Sequence, residues 1–284
     1  MPASEVLAAP CPECGGRGWV VVADGRAGTA RPCACRQRDV VPRLFDSAGI
    51  PARYSHCRLA NFHVSSARAR VDPQLLEART VAERYVDEFV QEGGGFRQSG
   101  LLLLGPPGVG KTHLAAAILR EVIDRYRVRG RFIEFTSLIH QIQATFDPGT
   151  LESKSQVLDP LTEAELLVLD ELGAQQTTPW VRDILYLIIN NRYTRRLPTI
   201  FTTNYRLEAP GSKGPKRAEK RAPEKKENLD RGRDPEEPIW EETQLSYRLP
   251  PMLVSRLYEM AQPVVLDAVE DFRREHAVHG AHLR

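Results

Sequence analysis

The stretch Leu101-Leu102-Leu103-Leu104-Gly105-Pro106-Pro107-Gly108-Val109-Gly110-Lys111-Thr112-His113 decides how the chain is read. An apolar run passes directly into a glycine-rich turn ending in Lys-Thr, and beyond it Leu114, Ile118, Leu119 and Val122 recur at helical spacing. Strand, loop and helix in that order form the setting in which this pattern holds nucleoside-triphosphate phosphates. Glycines let consecutive N–H groups turn inward, and the helix N-terminus favours an anion. Lys111 is expected to reach the outer phosphates and Thr112 to hold magnesium. A glycine turn with a chance lysine would leave the matching flanks unexplained.

Outward from this stretch, short apolar runs alternate with helical segments. That is the pattern of an α/β fold whose parallel sheet is covered on both faces. Five strands are expected, over residues 101–104, 131–135, 166–169, 199–202 and 263–266. Helices are expected over 113–126, 138–146 and 181–193, with another carrying Leu75, Leu76, Val81, Tyr85, Val86 and Phe89 and ended by Gly93-Gly94-Gly95.

Leu166-Leu167-Val168-Leu169-Asp170-Glu171 reads as a buried strand that delivers two carboxylates at its carboxyl end, where parallel sheets bind ligands. Asp170 is expected to orient magnesium, and Glu171 to polarise the water that attacks the γ-phosphate. Thr199-Ile200-Phe201-Thr202-Thr203-Asn204 ends in an amide able to hold that water, with an ordinary turn asparagine as the alternative. Arg256, in Ser255-Arg256-Leu257, is a candidate arginine finger for a neighbouring subunit, and Arg273 a candidate to reach the γ-phosphate in cis. Surface salt bridging is the alternative for both arginines.

At 284 residues, 42% hydrophobic and 27% charged, the chain is long enough for one α/β core and a small accessory domain. A net charge of +2 does not mark a nucleic-acid binder, so local charge must carry any such argument. No apolar stretch approaches the ~20 residues that span a bilayer, and no signal-peptide pattern opens the chain. The expectation is a cytoplasmic protein without membrane partners, in which five cysteines do not build a disulfide framework. Cys11-Pro12-Glu13-Cys14 and Cys33-Ala34-Cys35 flank a Gly15-Gly16-Arg17-Gly18 turn and a short strand from Trp19. Cys11, Cys14, Cys33 and Cys35 outline a zinc ribbon or knuckle, with an iron–sulfur cluster or reduced thiols as alternatives. Cys57 stands apart as an expected buried thiol. Residues 212–242 hold a basic block followed by an acidic one and almost no apolar residue, the composition of a solvated, disordered insertion.

On these residues the chain resembles the DnaC/DnaI-type replicative helicase loaders and the related IstB transposition helper ATPases, a branch of the AAA+ superfamily. Gly105 to His113, Leu169-Asp170-Glu171-Leu172-Gly173, Thr202-Thr203-Asn204, Ser255-Arg256-Leu257 and Phe272-Arg273 carry the resemblance. It implies an AAA+ P-loop ATPase core over 99–284 using ATP and magnesium, with Gly105 to His113 as the nucleotide loop. It also implies a connector over 49–98, whose Pro51-Ala52-Arg53-Tyr54 and Asn61-Phe62 lie near the adenine. The cysteine unit, within 1–48, resembles the zinc-binding, helicase-contacting domain of DnaI-like members. By position, Asn204 becomes a first sensor, Arg256 a trans finger and Arg273 a second sensor. Implied partners are a hexameric replicative helicase, single-stranded DNA and further copies of the chain. Many members have paired aspartates where this chain has Asp170-Glu171. An IstB-like helper of a DNA transposase is the alternative function; a nucleoside kinase or a module using nucleotide only structurally fits these residues less well.

Overall fold

A computed structural model describes residues 19–24, 27–32, 40–65, 71–91, 95–146, 153–175, 178–207, 244–266 and 272. A short antiparallel hairpin pairs β1 (Trp19–Asp24) with β2 (Ala27–Pro32). Helix α1 (Val40–Ala48) follows, then a 3-10 turn over Ala52–Tyr54 and α2 (Pro73–Asp87). The main unit runs β3 (Gly100–Leu104), α3 (Lys111–Tyr126), β4 (Gly130–Glu134), α4 (Phe135–Ala144), α5 (Lys154–Glu163), β5 (Leu166–Asp170), α6 (Pro179–Thr194) and β6 (Thr199–Thr203). It closes with α7 (Leu245–Arg248), α8 (Pro251–Met260) and β7 (Ala261–Val265). The four cysteines Cys11, Cys14, Cys33 and Cys35, the insertion 212–242 and Arg273 lie outside the described residues.

The expected five-stranded parallel sheet is present, in the order β4-β5-β6-β3-β7. Its inner strands β3 and β5 are near-continuous apolar runs because both faces are covered. Leu101 and Leu103 join Leu166, Val168 and Ile200 in a core shared with α1, α2 and α3. The alternate residues Leu102 and Leu104 join Leu167, Leu169 and Phe201 in a second core, shared with α4, α5, α6 and α8. Period-two alternation thus divides each strand between two separate hydrophobic layers.

Element boundaries follow local chemistry. Asp72 caps α2, its carboxylate accepting from the N–H groups of Gln74 and Leu75 at 2.8 and 3.1 Å. Thr178 caps α6, with Pro179 at its first position. Helix α5 begins in a reciprocal capping box between Ser153 and Gln156. The second strand, expected to end at Phe135, stops at Glu134, and Phe135 opens α4 instead. Phe135, Leu138, Ile139 and Ile142 repeat at helical spacing and are all buried, so packing decides in favour of the helix. Among the described residues no helix is long and apolar enough to cross a membrane.

The N-terminal edge of the sheet is tied by Arg192, which is fully buried. Its Nε donates to Thr199 Oγ1 at 2.8 Å, Nη1 to the carbonyls of Leu161 and Ala164 at 2.7 and 2.8 Å, and Nη2 to that of Pro198 at 2.7 Å. Burial pushes this guanidinium down to about 9, still above neutral pH. It joins the ends of α5, α6 and β6, supplying donors to the carbonyls of Leu161, Ala164 and Pro198, the last of which also accepts the Leu167 N–H at 3.4 Å. Replacing Arg192 by Met keeps the apolar stem but takes the guanidinium donors away from these buried carbonyls. It is expected to cost about 3 kcal/mol of unfolding free energy in urea titrations; a loss under about 1 kcal/mol would refute the tie.

Candidate functional site

The phosphate loop joins β3 to α3 above the carboxyl end of the sheet. Gly105, Gly108 and Gly110 have φ of 151°, 85° and 97°, backbone that a side chain strongly disfavours. Two of them are also needed for space. A Cβ on Gly105 would lie 2.5 Å from the Leu266 carbonyl oxygen, and one on Gly110 would lie 2.7 Å from Phe62 Cε2. Lys111 is 7% exposed, and its Nζ donates to the Gly105 and Pro106 carbonyls at 2.8 and 2.7 Å. The ammonium is thereby held over the loop at the positive end of α3, beside N–H groups that have no partner within the helix.

Asp170 ends β5 at 3% exposure. Its Oδ1 accepts from Thr112 Oγ1 at 3.0 Å and from Thr202 Oγ1 at 2.6 Å. Thr202 Oγ1 in turn accepts the Glu171 N–H at 2.9 Å, so one hydroxyl joins both acidic residues. Burial pushes the Asp170 carboxyl from 3.8 up to about 6; the two hydroxyl hydrogen bonds oppose the rise, and the nearby Glu171 and Glu134 carboxylates reinforce it. Glu134 is the register partner of Asp170 on the neighbouring strand.

Glu171 itself is exposed and lies in the left-handed region at φ 58°, an uncommon conformation for a residue with a side chain. The turn is held from β6. Leu172 N–H donates to the Thr202 carbonyl and Thr203 Oγ1 donates to the Leu172 carbonyl, at 2.8 and 2.7 Å. Because β6 lies between β3 and β5, its threonines stand between the phosphate loop and the acidic turn.

The structure therefore brings together Gly105, Pro106, Gly108, Gly110, Lys111, Thr112, Asp170 and Glu171. Asn204 is exposed just beyond β6. Arg256 is seated elsewhere, on α8. Its guanidinium lies over the rings of Tyr186 and Tyr193 of α6, at 4.9 and 5.6 Å from their centroids. Among the described residues its buried Nη1 has no hydrogen-bond partner. Arg273 is not described, but the N–H of its neighbour Phe272 donates to the Gly108 carbonyl at 3.2 Å. His113 faces the connector: its Nε2 lies 3.1 Å from both the Arg58 carbonyl oxygen and Asn61 Oδ1. Burial lowers its pKa, with His56 and His63 adding to the effect against the Arg58 hydrogen bond. Cys57 is a buried free thiol, as expected, and desolvation pushes it up to about 11.

The bridging role of Thr202 was not read from the sequence, although a signal existed. Thr199, Thr202 and Thr203 are buried in a strand with an otherwise apolar face, and buried hydroxyls require partners. The donor set suits magnesium and a triphosphate. Asp170 and Thr112 offer adjacent hard oxygens, while Lys111 and the start of α3 offer positive charge to phosphate.

Sheet order, loop position and paired acids are those of the AAA+ branch of phosphate-loop proteins. The chain belongs to the IstB-like ATP binding protein family, whose profile matches residues 56–212. It is 31% identical over 170 residues to the replicative helicase loader DnaC of Escherichia coli K12, a match covering 58% of this chain and 62% of that protein. It is 34% identical over 125 residues to a protein named for insertion sequence IS5376 of Geobacillus stearothermophilus, covering 44% of this chain and 48% of that one. The chain thus spans less than two thirds of the length of these curated relatives. Among solved structures, that of the DnaC helicase loader is similar with a TM-score of 0.56 and 27% identity, over 76% of this chain and 100% of the other.

The raised Asp170 pKa has a stability consequence. The folded protein holds this proton more tightly than the unfolded chain, so its contribution falls as pH rises from about 4 to 6 and stays low above that. In magnesium-free buffer at pH 7.5, Asp170→Asn is expected to be more stable than wild type by on the order of 1–2 kcal/mol, the gap closing below about pH 4. Urea titrations at the two pH values check this, and a pH-independent difference would count against it.

Proposed function

We propose that this protein is an ATP-hydrolysing loader that delivers a hexameric replicative DNA helicase onto single-stranded DNA. The observation that supports this best is the Thr112–Asp170–Thr202–Glu171 cluster, which sets a buried metal-binding carboxylate beside an exposed second acid. Magnesium, when bound, supplies positive charge against the phosphates. Lys111 holds the outer phosphates, and Thr112 and Asp170 hold the metal. Glu171 accepts a proton from the attacking water at its carboxylate, and Asn204 orients that water.

Arg256 acts on the site of an adjoining copy. Its seat on two α6 rings, with Nη1 unpaired and no hydrogen bond to its own phosphate loop among the described residues, supports that assignment. Arg273 acts in cis, next to the Phe272 anchor on Gly108. Cys11, Cys14, Cys33 and Cys35, within a domain over 1–48, bind one zinc ion and present the surface that the helicase contacts. In the charged insertion 212–242 of the 99–284 ATPase domain, the basic half is the candidate to touch DNA phosphates and the acidic half screens that basic block.

The similarity to an insertion-sequence protein and the family itself favour a second reading, a helper ATPase of a DNA transposase. Affinity capture from the native host with ATP present tests the choice. A replicative helicase that is lost with Cys14→Ser supports the loader, whereas recovery of a transposase would overturn it.

For the chemistry, Glu171→Gln is expected to keep ATP binding within about threefold while lowering hydrolysis by at least about a hundredfold, read by nucleotide binding and phosphate release. Unchanged turnover refutes the assignment of Glu171. Mixing Arg256→Ala with Glu171→Gln subunits is expected to restore part of the hydrolysis that neither shows alone. No recovery in the mixture would remove the trans role of Arg256.

A further inference from the structure

Residues 58–63 lie along α3 and are fastened to it at His113 in its first turn and at Glu121 further on. The Leu59 N–H donates to Glu121 Oε1 at 3.0 Å. Asn61 is fixed in one orientation: its Oδ1 accepts the Arg58 N–H and its Nδ2 donates to the His56 carbonyl, both at 2.8 Å. Both atoms that face His113 Nε2 at 3.1 Å, the Arg58 carbonyl oxygen and Asn61 Oδ1, are therefore acceptors. Nε2 must carry the proton and donate to them.

One residue on, the Phe62 ring occupies the space a Cβ on Gly110 would need and meets the His113 ring edge-on at 5.5 Å. His63 then stacks on Phe272 with centroids 5.9 Å apart and planes 13° from parallel, and Phe272 N–H holds the Gly108 carbonyl. Two glycines of the phosphate loop are thus each held by an aromatic residue from outside the loop.

A loop built from glycines cannot fix its own conformation with side chains, yet its N–H groups bind phosphate well only if they are aimed beforehand. We propose that residues 58–63 are a positioning strap for the phosphate loop, in which Asn61 and His113 set ATP affinity through the loop's geometry. His113 is then a positioning residue, its ring held by the connector. The inference rests on the assignment of this site to ATP and deepens it.

Binding of a fluorescent ATP analogue, steady-state hydrolysis and thermal melting on the full chain test it. Asn61→Ala and His113→Leu are expected to weaken binding about tenfold, the scale of one lost hydrogen bond. Hydrolysis at saturating ATP is expected to change less than about twofold, since the strap touches no reacting group. His113→Gln, whose side-chain N–H can replace Nε2–H, is expected to recover most of the affinity. Asn61 is exposed, so Asn61→Ala carries the comparison if His113→Leu fails to fold. Unchanged affinity in folded Asn61→Ala beside normal wild-type binding overturns the strap alone, even if the melting temperature falls. Absence of ATP binding by the wild type would overturn the ATP assignment and this inference with it; Lys111→Ala sets the level of that loss.

Discussion

Asp170 sits at 3% exposure at the end of β5, where removing a charge from water costs several kcal/mol unless polar groups replace the solvent. Two threonine hydroxyls do so in part, one from the first turn of α3 and one from β6. Each comes from a different element, so the carboxylate fixes the helix that carries the phosphate loop relative to the strand that braces the acidic turn. Burial still dominates, and the carboxyl stays near 6. Such a group would gain from a cation, and that unmet electrostatic demand is the physical ground for the metal site proposed at the end of β5.

The two edges of the sheet handle polarity differently. At the N-terminal edge, Arg192 is sealed in and its donors are matched to protein acceptors, which gives stability and leaves nothing for a ligand. At the carboxyl edge, Lys111 donates to loop carbonyls, Glu171 faces solvent and Asp170 is under-neutralised. Chemistry collects at the edge where polar groups are incompletely satisfied by the fold itself.

Much of this was legible in the sequence. The phosphate loop, the strand before it and the run ending in Asp170-Glu171 are apolar or glycine-rich segments whose meaning depends on local order. Each lies where its pattern predicts. Helix α5 was less readable because Pro160 interrupts it and its apolar residues are sparse, although Ser153 and Gln156 formed a capping signature. Thr202 and Asn61 were hidden for another reason. Their roles arise from contacts between segments distant in sequence, 32 residues for Thr202 with Asp170 and 52 for Asn61 with His113, which no local pattern encodes. Phe62 was expected near the nucleotide, yet its seat against Gly110 needed coordinates.

Glu171 combines an exposed carboxylate with a left-handed backbone that Gly would adopt without strain. Replacement by glycine would relax the turn and remove the second acid together. If Glu171 is the proposed second acid, the backbone and the chemistry set opposite demands on this position. A Glu171→Gly variant that melted no higher than Glu171→Ala would show the strain to be too small to matter. A left-handed glutamate at the end of a sheet strand thus ties a local backbone cost to the acid proposed for hydrolysis.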